Sequence, residues 1–372
     1  MFRLYNMGSP QSKECLSHGE ICIATDSPSF KPGDLVRGNV YINMKQSFST
    51  PSLNLNLKVE EFTHFNKSQD HKLHFQGQTI IVKFRQNLIP PGQYQYPFTF
   101  TLPLNLPGSF EYYDNENTAY ITYILEASLP SLNPQNSIRN SVLLIVNQPL
   151  QSLGVCSRKE STAKLASLCC FPQGMSTLKV VLPNENFYNN DSVKVFCELD
   201  NRGTSLNGKN IKAKLIQNIL LKDNLNRSTL IQRKISKVDF KHFYPAREIN
   251  NFTLEMPLID HENPTRRFIE KCDHIFLLKN KDLVASLQAS TASQLITCSY
   301  ILEMEACFDG YLMTSSKPEV KVPIALYIPD VRVNTSAPRE WNPTVLPEMR
   351  LDFPTKEDLG MQGIPQQAVI IQ

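Results

Sequence analysis

The sequence Phe30-Lys31-Pro32-Gly33-Asp34, followed by Val36 and Arg37, returns 157 residues later as Phe187-Tyr188-Asn189-Asn190-Asp191, followed by Val193 and Lys194. Phe98-Thr99, leading to Pro103-Leu104, returns after 154 residues as Phe252-Thr253, leading to Pro257-Leu258. Tyr123-Ile124-Leu125-Glu126 returns after 177 residues as Tyr300-Ile301-Leu302-Glu303. Three echoes in one order imply a module of roughly 150 residues present twice, each copy large enough for its own core. Whatever this chain folds into, it folds into it twice.

Period-two patterning sets the class. Leu53, Leu55, Leu57 and Val59 alternate with Asn54, Asn56, Lys58 and Glu60, and Ile121, Tyr123, Leu125 and Ala127 with Thr122, Ile124 and Glu126. Phe98, Phe100 and Leu102 do the same against Thr99 and Thr101. Such segments are strands with one face on a core and one in water. Turn sequences at 31–34, 90–92, 106–109 and 207–208 separate them. The fold class expected is all-β: two tandem immunoglobulin-like antiparallel β-sandwiches followed by a disordered C-terminal tail.

The domains expected are a first sandwich over 12–150, a connector over 151–168, a second sandwich over 169–330 and a disordered tail over 331–372. The larger offset of the last echo places an insertion between Leu258 and Thr297. Within it Phe268, Ile269, Cys272, Ile275 and Phe276 recur at helical spacing, which predicts a short amphipathic helix packed on the sandwich or facing a membrane. Five prolines at 338, 343, 347, 354 and 365 break the tail. Residues 366–372, Gln-Ala-Val-Ile-Ile among them, could add a strand to an exposed sheet edge and mask a binding surface on the first module.

The net charge of +3 is too small to argue for nucleic acid. Nine cysteines, an odd number, lack metal-like spacing and read as reduced thiols of a cytosolic protein. Residues 1–10 lack the apolar stretch of a secretory signal, and no apolar run is long enough to span a bilayer. A soluble cytoplasmic protein is the expectation.

The stretch from Pro90 through Pro97-Phe98 and Pro103 to Pro107-Gly108-Ser109-Phe110-Glu111 resembles the arrestin amino-domain signature. It follows an arrestin-like strand entry at Phe30 to Gly38. Leu168-Cys169-Cys170-Phe171, and later Ser299-Tyr300 with Lys321-Val322-Pro323, resemble the start and end of the α-arrestin carboxyl domain. The similarity to the arrestin-like superfamily covers roughly residues 15–330 and is nearest the α-arrestins, the arrestin domain-containing proteins. It implies an adaptor, cytoplasmic and peripheral to the plasma membrane or endosomes, that binds membrane receptor or transporter tails and couples them to endocytosis, ubiquitination or endosomal protein transport. α-Arrestins that recruit ubiquitin ligases usually carry Pro-Pro-x-Tyr in the tail, and this tail has none. Pro90-Pro91-Gly92-Gln93-Tyr94 is one residue too long and lies inside the first module.

Ten basic residues lie between 209 and 247, opposed only by Asp223 and Asp239. Lys209, Lys212, Lys214, Arg233, Lys234, Lys237 and Lys241 are therefore the candidate site for acidic phospholipids or a phosphorylated cargo tail. The competing reading is a solvated face whose charges prevent edge pairing. Phe240, Phe243 and Tyr244 are expected in the core, so no nucleic acid is expected. His64, His71 and His74 with Asp70 fit no standard metal site, and the segment Asn66-Lys67-Ser68-Gln69-Asp70-His71-Lys72 reads as a polar hairpin loop. Cys169 and Cys170 are candidates for S-palmitoylation, with packing as the plainer role.

No nucleophile elbow, zinc-protease helix, phosphate loop or dinucleotide fingerprint is present, so neither an enzyme nor a cofactor is expected. Two alternatives stand beside the adaptor. One is a structural subunit of an endosomal sorting coat, like the arrestin-like subunit of retromer. The other is a cryptic hydrolase, which would need a convergent pocket of perturbed titratable groups.

Overall fold

Each alternating stretch quoted above lies in a strand, because its two faces meet different media. The computed structural model describes residues 18–27, 29–148, 157–167, 171–188, 191–259, 287–310, 317–327 and 337–354. They divide into two units, residues 18–148 with 337–354 and residues 157–259 with 287–327. The helix expected within the insertion, the residue pair Cys169 and Cys170, and the segment 366–372 all lie outside the described residues.

The first unit contains β1 (Gly19–Thr25), β2 (Ser29–Phe30), β3 (Leu35–Met44), β4 (Phe48–Ser49), β5 (Ser52–Phe65), β6 (Ser68–Lys83), β7 (Leu88–Ile89), β8 (Gly92–Thr101), β9 (Phe110–Tyr113), β10 (Thr118–Leu129) and β11 (Ile138–Val146). One sheet runs β1-β3-β8 and the other β2-β11-β10-β5-β6, with β9 also on β10. Leu53, Leu55, Leu57 and Val59 of β5 and Ile121, Tyr123, Leu125 and Ala127 of β10 are wholly buried between the sheets. The sequence predicts a polar loop after β5, but the turn takes only Asn66 and Lys67. Both hold left-handed backbone, φ 47° and 64°, the geometry that suits a two-residue hairpin between twisted strands.

The second unit contains β12 (Ser157–Ser167), β13 (Phe171–Leu182), β14 (Asn186–Tyr188), β15 (Ser192–Asp200), β16 (Gly208–Lys222), β17 (Ser228–Tyr244), β18 (Ile249–Pro257), β19 (Thr291–Ala292), β20 (Ile296–Phe308) and β21 (Glu319–Tyr327). Its sheets run β12-β13-β15-β18 and β14-β21-β20-β16-β17, with β19 also on β20. β12 falls where a connector was expected. Ala163 and Leu165, two apart, are buried while Lys164 between them is exposed, and that alternation docks the segment on β13.

The duplication extends to single hydrogen bonds. Ser109 N–H donates to Val146 O at 2.8 Å while its Oγ accepts from Val146 N–H at 2.9 Å. Ser290 repeats both bonds with Leu326, at 2.8 and 3.0 Å. The buried Tyr123 and Tyr300 hydroxyls donate to the carbonyls of Pro107 and Gln288. One echo needs adjusting. Leu102 N–H donates to Asp34 O at 3.0 Å and Leu258 N–H to Asp191 O at 2.8 Å. Residues of β8 therefore correspond to residues of β18 at an offset of 156, and Phe98-Thr99 and Phe252-Thr253 sit two positions apart on equivalent strands.

The tail departs from the expectation of disorder over residues 337–354. Two short strands, β22 (Thr344–Val345) and β23 (Met349–Arg350), run parallel to β8 along its outer edge. Pro347, which has no N–H to donate, separates them. Alternation explains the docking. Leu351 is 4% exposed, and Phe353, two residues on, stands edge-on to Phe75 of β6 and Phe100 of β8. The segment thus closes the open side of the first sandwich, where the edge strands of its two sheets come together.

Candidate functional site

The basic set falls mainly on β16 and its neighbour β17, the edge strand of its sheet. Ile211, Ala213 and Leu215 are buried, so Lys212 and Lys214 point outward as their spacing requires. Register places Lys237 opposite Lys214, Asp239 opposite Lys212, Lys234 opposite Ile216 and Lys241 opposite Asn210. These five lysines share the outer face. Lys209 is exposed near the start of β16. Arg233 is on the other face, opposite Gln217, and its Nη1 donates to Gln217 Oε1 at 2.9 Å.

The β16 lysines meet acids on their other side. Glu303 and Glu305 of β20 stand opposite Lys214 and Lys212. Lys214 Nζ lies 2.5 Å from Glu303 and 3.8 Å from Glu305, and Lys317 and Lys321 complete the network. The bond to Glu303, with the further charge of Glu305 and Glu319, raises the Lys214 pKa. Burial works to raise the Glu303 and Glu305 carboxyls, yet their lysine partners hold both below the usual range. Surplus positive charge is thereby concentrated on β17, where Lys234, Lys237 and Lys241 are all exposed. Among the aromatics nearby, Tyr244 is buried as expected, but Phe243 is 59% exposed.

The histidines have structural partners. His71 Nε2 lies 3.1 Å from Glu60, and His74 Nε2 lies 2.8 Å from Glu61, whose side chain is fully buried. No cluster of three metal-ligating side chains occurs among the described residues. A shallow depression of about 370 Å³ lies over Arg158, Lys179, Val181, Phe196 and Thr253, with Lys179 held 2.6 Å from Glu198. Cys197 also lines it, but burial pushes that thiol up to about 12, which leaves it protonated and a weak nucleophile. A second depression, of about 420 Å³, is lined by Ser52, Ile80, Lys83, Phe84 and Arg85. Neither lining pairs a nucleophile with a histidine.

The composition of the tail conceals the best-defined binding geometry. Leu346 N–H donates to Gln95 O at 2.9 Å and Leu351 N–H to Thr99 O at 2.7 Å, so β8 receives an extended segment through its own carbonyls. Met349, Leu351 and Phe353 alternate, and that period-two signal was available among the prolines. Gly77 makes the room: a Cβ there would lie 3.0 Å from Phe353 Cδ1.

Two tandem, duplicated β-sandwiches define the class of the fold. The chain matches the family model of the arrestin (or S-antigen) N-terminal domain over residues 19–151 and that of the C-terminal domain over residues 172–331. It belongs to the arrestin family. No curated protein matches it. No helix among the described residues is long and apolar enough to cross a membrane.

Proposed function

We propose that this chain is a cytoplasmic adaptor of α-arrestin type. It binds receptor or transporter tails at membranes and couples them to endocytosis, ubiquitination or endosomal protein transport. The pairing of residues 344–350 with β8 carries this reading, because a sheet edge that receives one extended segment through backbone groups has the chemistry to receive a cargo tail. The exposed lysines of β17 supply attraction to acidic lipid or to a phosphorylated tail. We read the chain as a binding protein and not as an enzyme.

A sorting-coat subunit is the second reading. Phe171 and Met175 at the start of β13 favour it, at 63% and 51% exposed, since apolar residues left in water at a sheet end suit a constant protein partner. Proximity labelling in the chain's own cells separates the two readings. Many receptors or transporters, lost when Lys234, Lys237 and Lys241 become Glu, would support the adaptor. One stoichiometric set of coat proteins that survives the change would support the coat.

A further inference from the structure

Phe196 breaks the alternation of β15. Val193, Val195, Cys197 and Leu199 face the core and are buried, and Lys194, Glu198 and Asp200 share the opposite face. Phe196 belongs to that opposite face and is 51% exposed. Its counterpart in the first unit, at the offset of 157 that relates Asp34 to Asp191, is Asn39. Asn39 accepts a hydrogen bond from Gln95 Nε2 at 2.8 Å. One copy of the module thus carries a polar residue at this position and the other a ring, and core packing does not require the ring.

Phe196 stands in a row that crosses the whole sheet. Arg158 of β12 pairs with Val181 of β13, Val181 with Phe196, and Phe196 with Thr253 of β18. Val181, half-buried, holds the place that Ala24 has in the first unit, and with Phe196 it makes an apolar floor for the depression of about 370 Å³. The charges around this floor differ in how far they are engaged. At one end Lys179 is held by Glu198 at 2.6 Å, with Glu160 opposite it, and Asp200 is held by Arg202 at 2.8 Å. At the other end Glu255 accepts a hydrogen bond from Ser192 Oγ. Arg158 and Lys194 are exposed and enter no ion pair among the described residues. Strand spacing sets their backbones about 10 Å and about 7 Å from that of Phe196, on two sides of the floor. A single exposed ring is ordinary, but a ring, a valine and two unengaged cations around one depression have the composition of an interaction surface.

We propose that the outer face of the sheet β12-β13-β15-β18 is a docking surface for an acidic segment of a partner protein. The segment seats one aromatic or leucine side chain on Phe196 and Val181 and directs a carboxylate between Arg158 and Lys194. Charge complementarity selects this occupant. A basic segment would meet two cations there, with Glu255 already bonded to Ser192. The apolar contact supplies affinity, and the two cations fix which way the segment lies. The first unit offers no such floor, because Asn39 and Ala24 stand where the ring and the valine do. The surface shares no residue with the β17 lysines or the β8 edge, so it stands apart from the adaptor reading.

The probe is the fluorescently labelled peptide Gly-Asp-Asp-Gly-Phe-Leu-Gly-Ser, titrated with the full chain and read by anisotropy. Saturable binding is expected. Exchange of Asp-Asp for Lys-Lys, or of Phe-Leu for Ser-Ser, should weaken it at least about tenfold, roughly 1.4 kcal/mol. Phe196→Asn installs the first unit's residue at an exposed position, and should weaken the acidic peptide by the same factor with an unchanged unfolding midpoint. Arg158→Glu should weaken it too and strengthen the Lys-Lys peptide, a reversal that misfolding does not produce. Binding that ignores Phe196→Asn, equal binding of the three peptides, or no saturation below millimolar concentration would overturn the proposal. So would self-association of the chain, or binding to phosphatidylserine vesicles, that Phe196→Asn abolishes while the peptide stays unbound.

Discussion

The ring of Phe353 stands edge-on to that of Phe100, with centroids 5.0 Å apart and planes at 89°. Edge-to-face contact is the favoured geometry of aromatic pairs and adds about 0.5–1.5 kcal/mol beyond area burial. Phe75 approaches from the other sheet at 6.1 Å and 90°. Phe353 thus touches an edge strand of each sheet. Phe353→Ala should cost roughly 2 kcal/mol, below the range for a fully buried phenylalanine because this side chain is only partly covered. Limited proteolysis reads the effect directly, since the tail should be cut faster while the first sandwich stays intact. An unchanged cleavage rate would mean that backbone pairing alone holds the segment.

Gly77 offers an independent route to the same state. A Cβ there would lie 3.0 Å from Phe353 Cδ1 and equally close to the ring of Phe75, on which Phe353 rests. Gly77→Val should expel the ring without removing a contact from the tail itself. Faster cleavage beyond residue 337 with a nearly unchanged unfolding midpoint is the expected outcome. A collapse of the whole unit would show instead that Gly77 is needed by β6 and not by the tail.

The duplicated tyrosines predict unequal penalties. Tyr123→Phe removes one buried hydrogen bond to the Pro107 carbonyl, a loss of about 1 kcal/mol. Tyr300→Phe removes the bond to Gln288 O at 2.9 Å and also the acceptor of Gln217 Nε2, again at 2.9 Å. Gln217 is 1% exposed and its Nε2 would keep only the weak Cys298 Sγ acceptor at 3.5 Å, so about 1–3 kcal/mol more is expected. Thermal unfolding of the two variants should rank Tyr300→Phe the more damaging.

Legibility followed the period. Leu53 to Val59 and Ile121 to Ala127 read as half-buried strands and are so, because alternation records which face meets the core. The arrestin resemblance lay in short motifs, and the family matches agree with it. β12 was read as a connector because its charged residues outnumber Ala163 and Leu165, although those two suffice for docking. Prolines in the tail outweighed the alternation of Met349, Leu351 and Phe353, yet Pro347 only interrupts the pairing. The lysines of β16 looked unopposed because Glu303 and Glu305 lie some 90 positions away in sequence. Neighbours across a sheet carry no local signal.

That lysine–glutamate network gives the second unit a definite response to acid. The Glu303 and Glu305 pKa values are lowered in the folded state. Their contribution is present above the ordinary carboxylate value and is lost as pH falls through the folded ones. Lys214, whose pKa is raised, contributes below its ordinary value and loses that contribution only as pH rises through the folded one. Glu303→Gln should therefore flatten the fall in stability between roughly pH 5 and pH 3 while leaving the slope near neutrality alone. Denaturant titrations at a series of pH values decide it, and an acid limb as steep as that of the native chain would contradict the network's role.

The exposed lysines of β17 admit two physical explanations that one variant distinguishes. Lysines near an anionic membrane contribute about 1 kcal/mol each, so changing Lys234, Lys237 and Lys241 to Gln should weaken binding to phosphatidylserine-containing vesicles roughly a hundredfold. That binding should also fade with added salt, because the charges are exposed. The other explanation is protection: β17 is a 17-residue edge strand, and lysines on such an edge discourage pairing with another chain. If protection is their work, the triple variant keeps its vesicle affinity but associates with itself. Co-sedimentation with vesicles, run beside light scattering of the free protein, reads both effects on one sample. The double change Lys214→Met with Glu303→Gln is the internal control, since it removes one charge of each sign from a pair and should leave vesicle binding nearly as it was.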